Sequence, residues 1–487
     1  MAQEPILQSF IGGRWVGQHG AQALRSALNG QTVARTHEEA LDFAEAVAHA
    51  REQGLKELMS MDFQQRAQRL KALALYLTER KEQLYEISRH SGATRADSWI
   101  DIEAAPAPCS PTPASAAASC RRAMWSTKAR PCRWARPASS PAATSWCRAA
   151  ASRCTSNAFN FPIWGMLEKF APSFLAGMPC IVKPATATSY ITEAAVRVMH
   201  ESGLLPAGSL QLIIGGTGDL LDRLQGQDIV TFTGSADTAA KLRVNPNLIR
   251  NSVPFNAEAD SLNCAILAPD VTPDDEEFDL FVKEVAREMT VKAGQKCTAI
   301  RRAIVPAKHI DAVAERLRER LAKVVVGDPS VDGVKMGALA SHAQQADVAE
   351  RVEALLKSSE LVFGAKDGFA PRGDGVAEGA FFAPTLLRSR DPHAEGGAHD
   401  IEAFGPVTTL MAYDDIDEAV ALAARGKGSL VASLITRDPQ VAAKVVPVMG
   451  ALHGRLHILD RESAAESTGH GSPLPVLKHG GPARRRR

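Results

Sequence analysis

The chain has 487 residues, 45% of them apolar and 23% charged, with a formal net charge of +1; that length exceeds one core and predicts two or three domains. No apolar run approaches membrane-spanning length, and the start, MAQEPILQSF, lacks a basic-then-apolar signal pattern, so a cytoplasmic protein with no membrane partner is expected. Eight cysteines without CxxC or CxxxxC spacing argue against a metal site and, in the cytoplasm, against a disulfide framework.

Residues 7–18 alternate around a Gly-Gly pair and predict a short hairpin. Two helices follow, one near 38–55 and one from Asp62, where Gln65 stands three residues on as in a capping box. The second carries Leu70, Leu73 and Leu77 inward and ends near Gly92.

The composition then collapses. From Ala104 to Ser156 there is no Ile, Leu, Val, Phe, Tyr, Gly, Asp, Glu, Asn, Gln or His, while five of the eight cysteines and three of the six tryptophans fall there. With nothing to build an aliphatic core, the stretch predicts a Pro/Ser/Arg-rich linker or disorder. Its seven Arg and one Lys stand without an acid, which leaves the rest of the chain at −7. That balance is usual for a soluble enzyme, and the arginines follow no helical spacing, so no nucleic-acid partner is expected.

After Asn157 ordinary protein resumes. NAFNFPIWG opens a helix holding Met166, Leu167 and Phe170. MPCIVKP predicts a buried strand, 191–203 a helix, QLIIGG a strand, and QDIVTFTGS another that ends in Gly234. Strand and helix in alternation are the signature of parallel βαβ units, and the glycine after Phe232 suits the approach of a phosphate. From Asn263 a second α/β region begins with a strand at CAILA. Further strands are expected at RRAIVP and FGPVTTLMAY, with alternation also at 309–324 and KVVVGDP; helices are expected near 416–424 and 439–448.

Before RRAIVP lies the stretch that carries chemistry, VKAGQKCTAIRR. Phe278, Val282, Val285 and Met289 recur at a spacing of three or four, so an amphipathic helix leads into it. Ala293 and Gly294 break the run, and the Cys297 thiol follows in a turn whose free backbone N–H groups suit an anion. Lys292 and Lys296 add charge that favours thiolate over thiol. Taken singly, the favoured readings are the bland ones: Cys297 a buried structural cysteine, Asn160 a turn cap and Glu258 a solvated carboxylate.

Taken in order, NAFNFPIWG, IVKPAT, FTGS, NAEADSLN, AGQKCTA and EAFGPV make the chain resemble the aldehyde dehydrogenase family over nearly all its length outside 104–156. The resemblance implies an α/β fold: a Rossmann-like cofactor domain (1–103 and 157–258), an α/β catalytic domain (259–455) and a C-terminal segment (456–487). It implies Cys297 as the nucleophile on an aldehyde carbonyl, Asn160 as the oxyanion donor and Glu258 as the base that activates water. It places the cofactor against Lys183, Thr186, Phe232, Thr233, Gly234, Ser235, Glu402 and Phe404. Thr186 stands where NAD-preferring relatives often place Glu, which leans toward NADP over NAD. Relatives also usually have Gly where this chain has Ala239. The wording NAEADSLNC and STGHGSPLP resembles a branch acting on semialdehydes of coenzyme A thioesters formed after aromatic ring opening; the alternative is the dehydrogenase of phenylacetyl-CoA breakdown. A homodimer is the assembly the family implies.

In the family, 104–156 would hold a central strand and an arm used in subunit pairing. Written in GC-rich codons and read one base earlier, Ser140 to Ser156 becomes Phe-Ala-Gly-Arg-His-Ile-Leu-Val-Pro-Arg-Gly-Gly-Val-Ala-Val-His-Ile, which restores the missing aliphatics. A frame slip near Glu103, repaired near Asn157, is therefore expected, with the central strand lost and the pairing arm damaged. A second slip is expected after HGGP, where the chain turns to Arg, leaving 456–487 cut short. On that expectation the chain as written is an inactive frameshifted product.

Overall fold

A computed structural model describes residues 4–104, 151–364, 369–465, 467 and 469–471. The expected pairing arm within 105–150 and the C-terminal slip both lie outside the described residues.

Two seven-stranded sheets carry the fold. The first begins with β1 (Ser9–Ile11) and β2 (Arg14–Val16), the predicted hairpin. Gly12 and Gly13 turn it at φ 58° and 79°, which residues with a Cβ seldom adopt. A two-stranded ribbon follows, β3 (Gly20–Arg25) with β4 (Thr32–His37).

Asp62 and Gln65 close the predicted capping box at the start of helix α1 (Phe63–Glu79), and Leu70, Leu73 and Leu77 are buried. The helix stops at Arg80 rather than near Gly92; a separate helix, Lys81–Arg89, continues the path, and Gly92 (φ 80°) ends that one. Thr94 and Asp97 form a second capping box, which starts α2 (Arg95–Ile102).

The parallel part of the first sheet comprises β5 (Arg153–Ser156), β6 (Cys180–Lys183), β7 (Leu210–Leu212), β8 (Ile229–Gly234) and β9 (Phe255–Ala259). Helices α3 (Pro162–Ala176), α4 (Ser189–Glu201) and α5 (Ala236–Arg243) connect them. The order β7-β6-β5-β8-β9 reverses at β5, so a crevice opens at the carboxyl ends of β5 and β8. Successive residues face opposite sides, as the pleat requires: Cys180 and Val182 join the cluster under α1, α3 and α4, while Ile181 packs with Cys154, Val230 and Leu248.

The expected loss of the central strand is corrected here. Arg153–Ser156 fills the central position and pairs in parallel with both β6 and β8. The ladder is made by backbone groups that any residue except proline supplies, and Cys154 and Thr155 are small enough to be buried between the flanking layers. The side chains fit less well than the backbone. Arg153 Nε and Thr155 Oγ1 are buried without hydrogen-bond partners, and so are both amide atoms of Asn157.

The second sheet holds β10 (Cys264–Leu267), β11 (Arg302–Pro306), β12 (Ser359–Phe363), β13 (Thr385–Ser389), β14 (Val407–Tyr413), β15 (Ser429–Ile435) and β16 (His453–Leu459). All its pairings are parallel except β12 with β13. KVVVGDP makes two isolated bridges, Val326 to Met336 and Gly327 to Arg372, and not a strand. β16 runs to Leu459 and pairs in parallel with β15. Helix α6 (Glu276–Thr290) presents Phe278, Val282, Val285 and Met289 to this sheet, all buried as their spacing predicted.

Candidate active site

The Cys297 loop starts where α6 ends. Lys292, Ala293 and Gly294 take φ values of 56°, 50° and 68°, three left-handed residues in succession. Such a run costs free energy at the two non-glycine positions and needs support from its surroundings. At Gly294 no Cβ fits, since one would lie 2.1 Å from the Gly405 carbonyl oxygen. Arg301 braces the turn by donating to Gly294 O at 2.9 Å and Gly405 O at 2.7 Å. Asn263, fully buried, donates to the carbonyls of Cys297 (2.9 Å) and Ala299 (3.0 Å). Cys297 itself is half-buried and in no disulfide, in contrast to the buried Cys154, Cys180 and Cys264, whose thiols burial pushes up in pKa.

Asn160 comes to this loop from the other sheet. It lies just past β5 and before α3, is 7% exposed, and donates its Nδ2–H to Gln295 O at 2.9 Å, two residues from the thiol. The expected oxyanion donor is therefore tied to the loop that carries Cys297, through the Gln295 carbonyl and not through Cys297 itself. Glu258 is buried on β9, in register with Thr233 of β8.

The two lysines expected to polarise the thiol are engaged elsewhere. Lys296 Nζ bonds both oxygens of the fully buried Glu288, at 2.8 and 2.6 Å. Lys292 is buried beside Asp97 and Asp101. The Lys296 charge is thus paired with Glu288 and projects little field, so activation of the thiol by this cation is not supported.

Glu402 accepts from the Ser261 N–H at 2.9 Å and from Arg301 Nε at 3.3 Å. Burial outweighs the Arg301 charge and pushes its carboxyl up to about 7. Phe404 meets Phe159 edge-on at 5.8 Å and lies under the Arg301 guanidinium.

A cavity of about 370 Å³ occupies the crevice at the carboxyl ends of β5, β6 and β8. It takes in Lys183, Thr186 and Phe232, together with Ser156, Gly215, Gly216 and Thr217, but not Thr233, Gly234, Ser235, Glu402 or Phe404. Burial lowers the pKa of the Lys183 ammonium. Gly215 and Gly216 have open space where a side chain would be, and the Thr233 hydroxyl is buried with no partner. These features suit the ribose and base of a dinucleotide. Ser235 caps α5 by accepting from Thr238 N at 3.3 Å, at the mouth expected to face the pyrophosphate. Ala239 is buried against Phe232 and Ala257 in place of the expected glycine, and the helix forms regardless.

Sequence reading missed Gln295, Asn263 and Arg301 as supports, and Asp97 and Asp101 altogether. The signal for the last two was present: ATRADSWIDI combines a capping box with carboxylates four residues apart on one helical face. Among the described residues no group of His, Cys, Asp or Glu is arranged to hold a metal, and no helix is long and apolar enough to cross a membrane.

Comparison with known proteins follows the same lines. The model of the aldehyde dehydrogenase family matches residues 15–470. A 3,4-dehydroadipyl-CoA semialdehyde dehydrogenase of Aromatoleum evansii is 40% identical over 504 aligned positions, covering 99% of this chain and 94% of that protein. Protein MaoC of Klebsiella aerogenes is 46% identical over 150 positions, 31% of this chain and 43% of its own. The crystal structure of Staphylococcus aureus betaine aldehyde dehydrogenase in complex with NAD+ superposes with a TM-score of 0.77 over 93% of this chain and 87% of its own; at 20% identity it speaks for the fold.

Proposed function

The chain belongs to the aldehyde dehydrogenase family, and from that premise we propose that it oxidises a coenzyme A-linked semialdehyde to the carboxylate, with NADP preferred over NAD. The hydrogen bond from Asn160 to the backbone beside Cys297 carries this reading. It holds an amide donor on the loop of a half-buried thiol. The name of the Aromatoleum evansii relative, similar along almost the whole chain, supports the substrate class.

In the proposed reaction the Cys297 sulfur adds to the aldehyde carbon. Asn160 turns its Nδ2–H from Gln295 O to the new oxyanion, and the Cys297 backbone N–H is its partner. A nicotinamide cofactor, when bound, would supply the hydride acceptor. Lys183 and Thr186 would hold its adenosine ribose, with Phe232, Thr233 and Gly234 lining the strand end. Ser235 would meet its pyrophosphate, and Glu402, with Phe404, would hold the second ribose. Glu258 then takes a proton from water as that water attacks the thioester carbon, and Cys297 leaves as thiolate. Thr186 supports NADP because it is neutral and can hydrogen-bond a 2′-phosphate that a carboxylate would repel.

The test is reduction of NADP, followed by absorbance, with 3,4-dehydroadipyl-CoA semialdehyde. Turnover should be lost in Cys297→Ala and should be slower with the phenylacetyl-pathway aldehyde; a faster rate with the latter would overturn the assignment of substrate.

A second reading rests on β5. Its buried, unpartnered Arg153 and Thr155 atoms are what an out-of-frame strand would leave in a core, and they favour a chain weakened or inactivated by a frame slip. Sequencing the coding DNA tests this. Arg codons in frame at 133 and 153 would sink it.

A further inference from the structure

Helix α2 contacts both halves of the proposed site through two carboxylates one turn apart. Asp101 Oδ1 accepts from the backbone N–H groups of Ile163 (3.1 Å) and Trp164 (2.7 Å), the first turn of α3, which begins two residues after Asn160. Asp97 Oδ1 accepts from Lys292 N at 2.7 Å, the first of the three left-handed residues before Cys297. Its other oxygen accepts from Thr94 N and Oγ1, which fixes the carboxylate in place. Both aspartates are nearly inaccessible, at 3% and 1%. The Lys292 ammonium, also buried, carries the charge that offsets theirs, with Ser91 Oγ at 3.5 Å from its Nζ.

This goes beyond capping. A capped helix end needs a donor or acceptor from anywhere, whereas here one eight-residue helix holds the entry to α3 and the exit from α6. We propose that Asp97 and Asp101 are positioning residues for the oxidation, setting the separation of the oxyanion donor Asn160 from the nucleophile Cys297. The inference rests on the roles proposed above for those two residues. Neither aspartate touches the reacting atoms. Each acts through the loop it holds, and the reach of the side chain matters more than its charge.

Two variants at Asp101 separate reach from charge. Asp101→Glu keeps the charge and lengthens the arm by one methylene; Asp101→Asn keeps the arm and one oxygen acceptor but drops the charge. In the full chain, or its frame-restored form if only that turns over, Asp101→Glu should lower kcat by about 100-fold, the cost of roughly 1 Å of misplacement. Its KM for NADP and the rate of Cys297 alkylation by iodoacetamide, which needs no oxyanion hole, should stay as in the parent. Asp101→Asn should retain kcat within about tenfold. Asp97→Glu, by contrast, should change the alkylation rate, because Asp97 holds the loop of the nucleophile itself.

An Asp101→Glu variant with the parent kcat overturns the inference, as does alkylation that falls in step with kcat in that variant, the mark of a merely structural role. Parent turnover is read in the same assay. Its absence would strike at the proposed function and take this inference with it, whereas parent turnover beside an unaffected Glu variant strikes at the inference alone.

Discussion

At the scale of single residues, the site pairs groups whose proposed tasks require different environments. Glu258 is the proposed base for the second half of the reaction, so Glu258→Gln should leave hydride transfer intact. A rapid burst of about one reduced cofactor per site is expected, followed by steady turnover slowed by 10²-fold or more, roughly the contribution of a positioned base. A burst absent together with turnover would place Glu258 in the first step instead. Glu402 is proposed to hold the ribose as a carboxylate, yet burial raises it to about 7. The charged form therefore gains population as pH rises, and cofactor affinity should increase by about tenfold between roughly pH 6 and pH 8. In Glu402→Gln the profile should be flat in a fluorescence titration with NADPH. At Thr186 a carboxylate would face the 2′-phosphate, so Thr186→Glu should shift preference toward NAD by about tenfold or more, ~1.4 kcal/mol. Unchanged kcat/KM ratios for the two cofactors would remove Thr186 from the specificity account.

At the scale of elements, periodicity found what periodicity can encode. The inward face of α6 and the leucines of α1 follow from apolar residues three and four apart, and the parallel strands from short aliphatic runs between helices. The supports of the catalytic loop were not legible in that way. Arg301, Asn263 and Gln295 act by donating to or accepting from backbone groups brought close by the fold, and no spacing announces such a contact. The charge of Lys296 was read correctly and its effect was not, because Glu288 lies on the buried face of the preceding helix. In β5 the composition pointed to loss of a strand, while the backbone ladder forms with the residues present. What the composition did register is the mismatch of side chains. Arg153→Ala with Cys154→Val, the residues of the alternative frame, should remove a buried unpartnered nitrogen and fill space against Ile181 and Val230. The expected gain is about 1–3 kcal/mol in urea denaturation. A loss of stability would show that the core accommodates the residues as written.

At the scale of the whole molecule, two doubly wound sheets bring one proposed catalytic residue from each to a shared edge: Asn160 after β5 of the first, Cys297 before β11 of the second. Chemistry at that edge depends on both sheets holding their places, and β5 is the strand nearest to Asn160. Restoring the frame of 104–156 should therefore raise activity, and with the pairing arm restored the chain should sediment as a dimer. Cys297 is the residue on which the proposed chemistry turns. NADP reduction with 3,4-dehydroadipyl-CoA semialdehyde, measured for the frame-restored chain and its Cys297→Ala variant, is the decisive measurement. Turnover in the first and none in the second is predicted; turnover that survives the loss of the thiol would contradict the account.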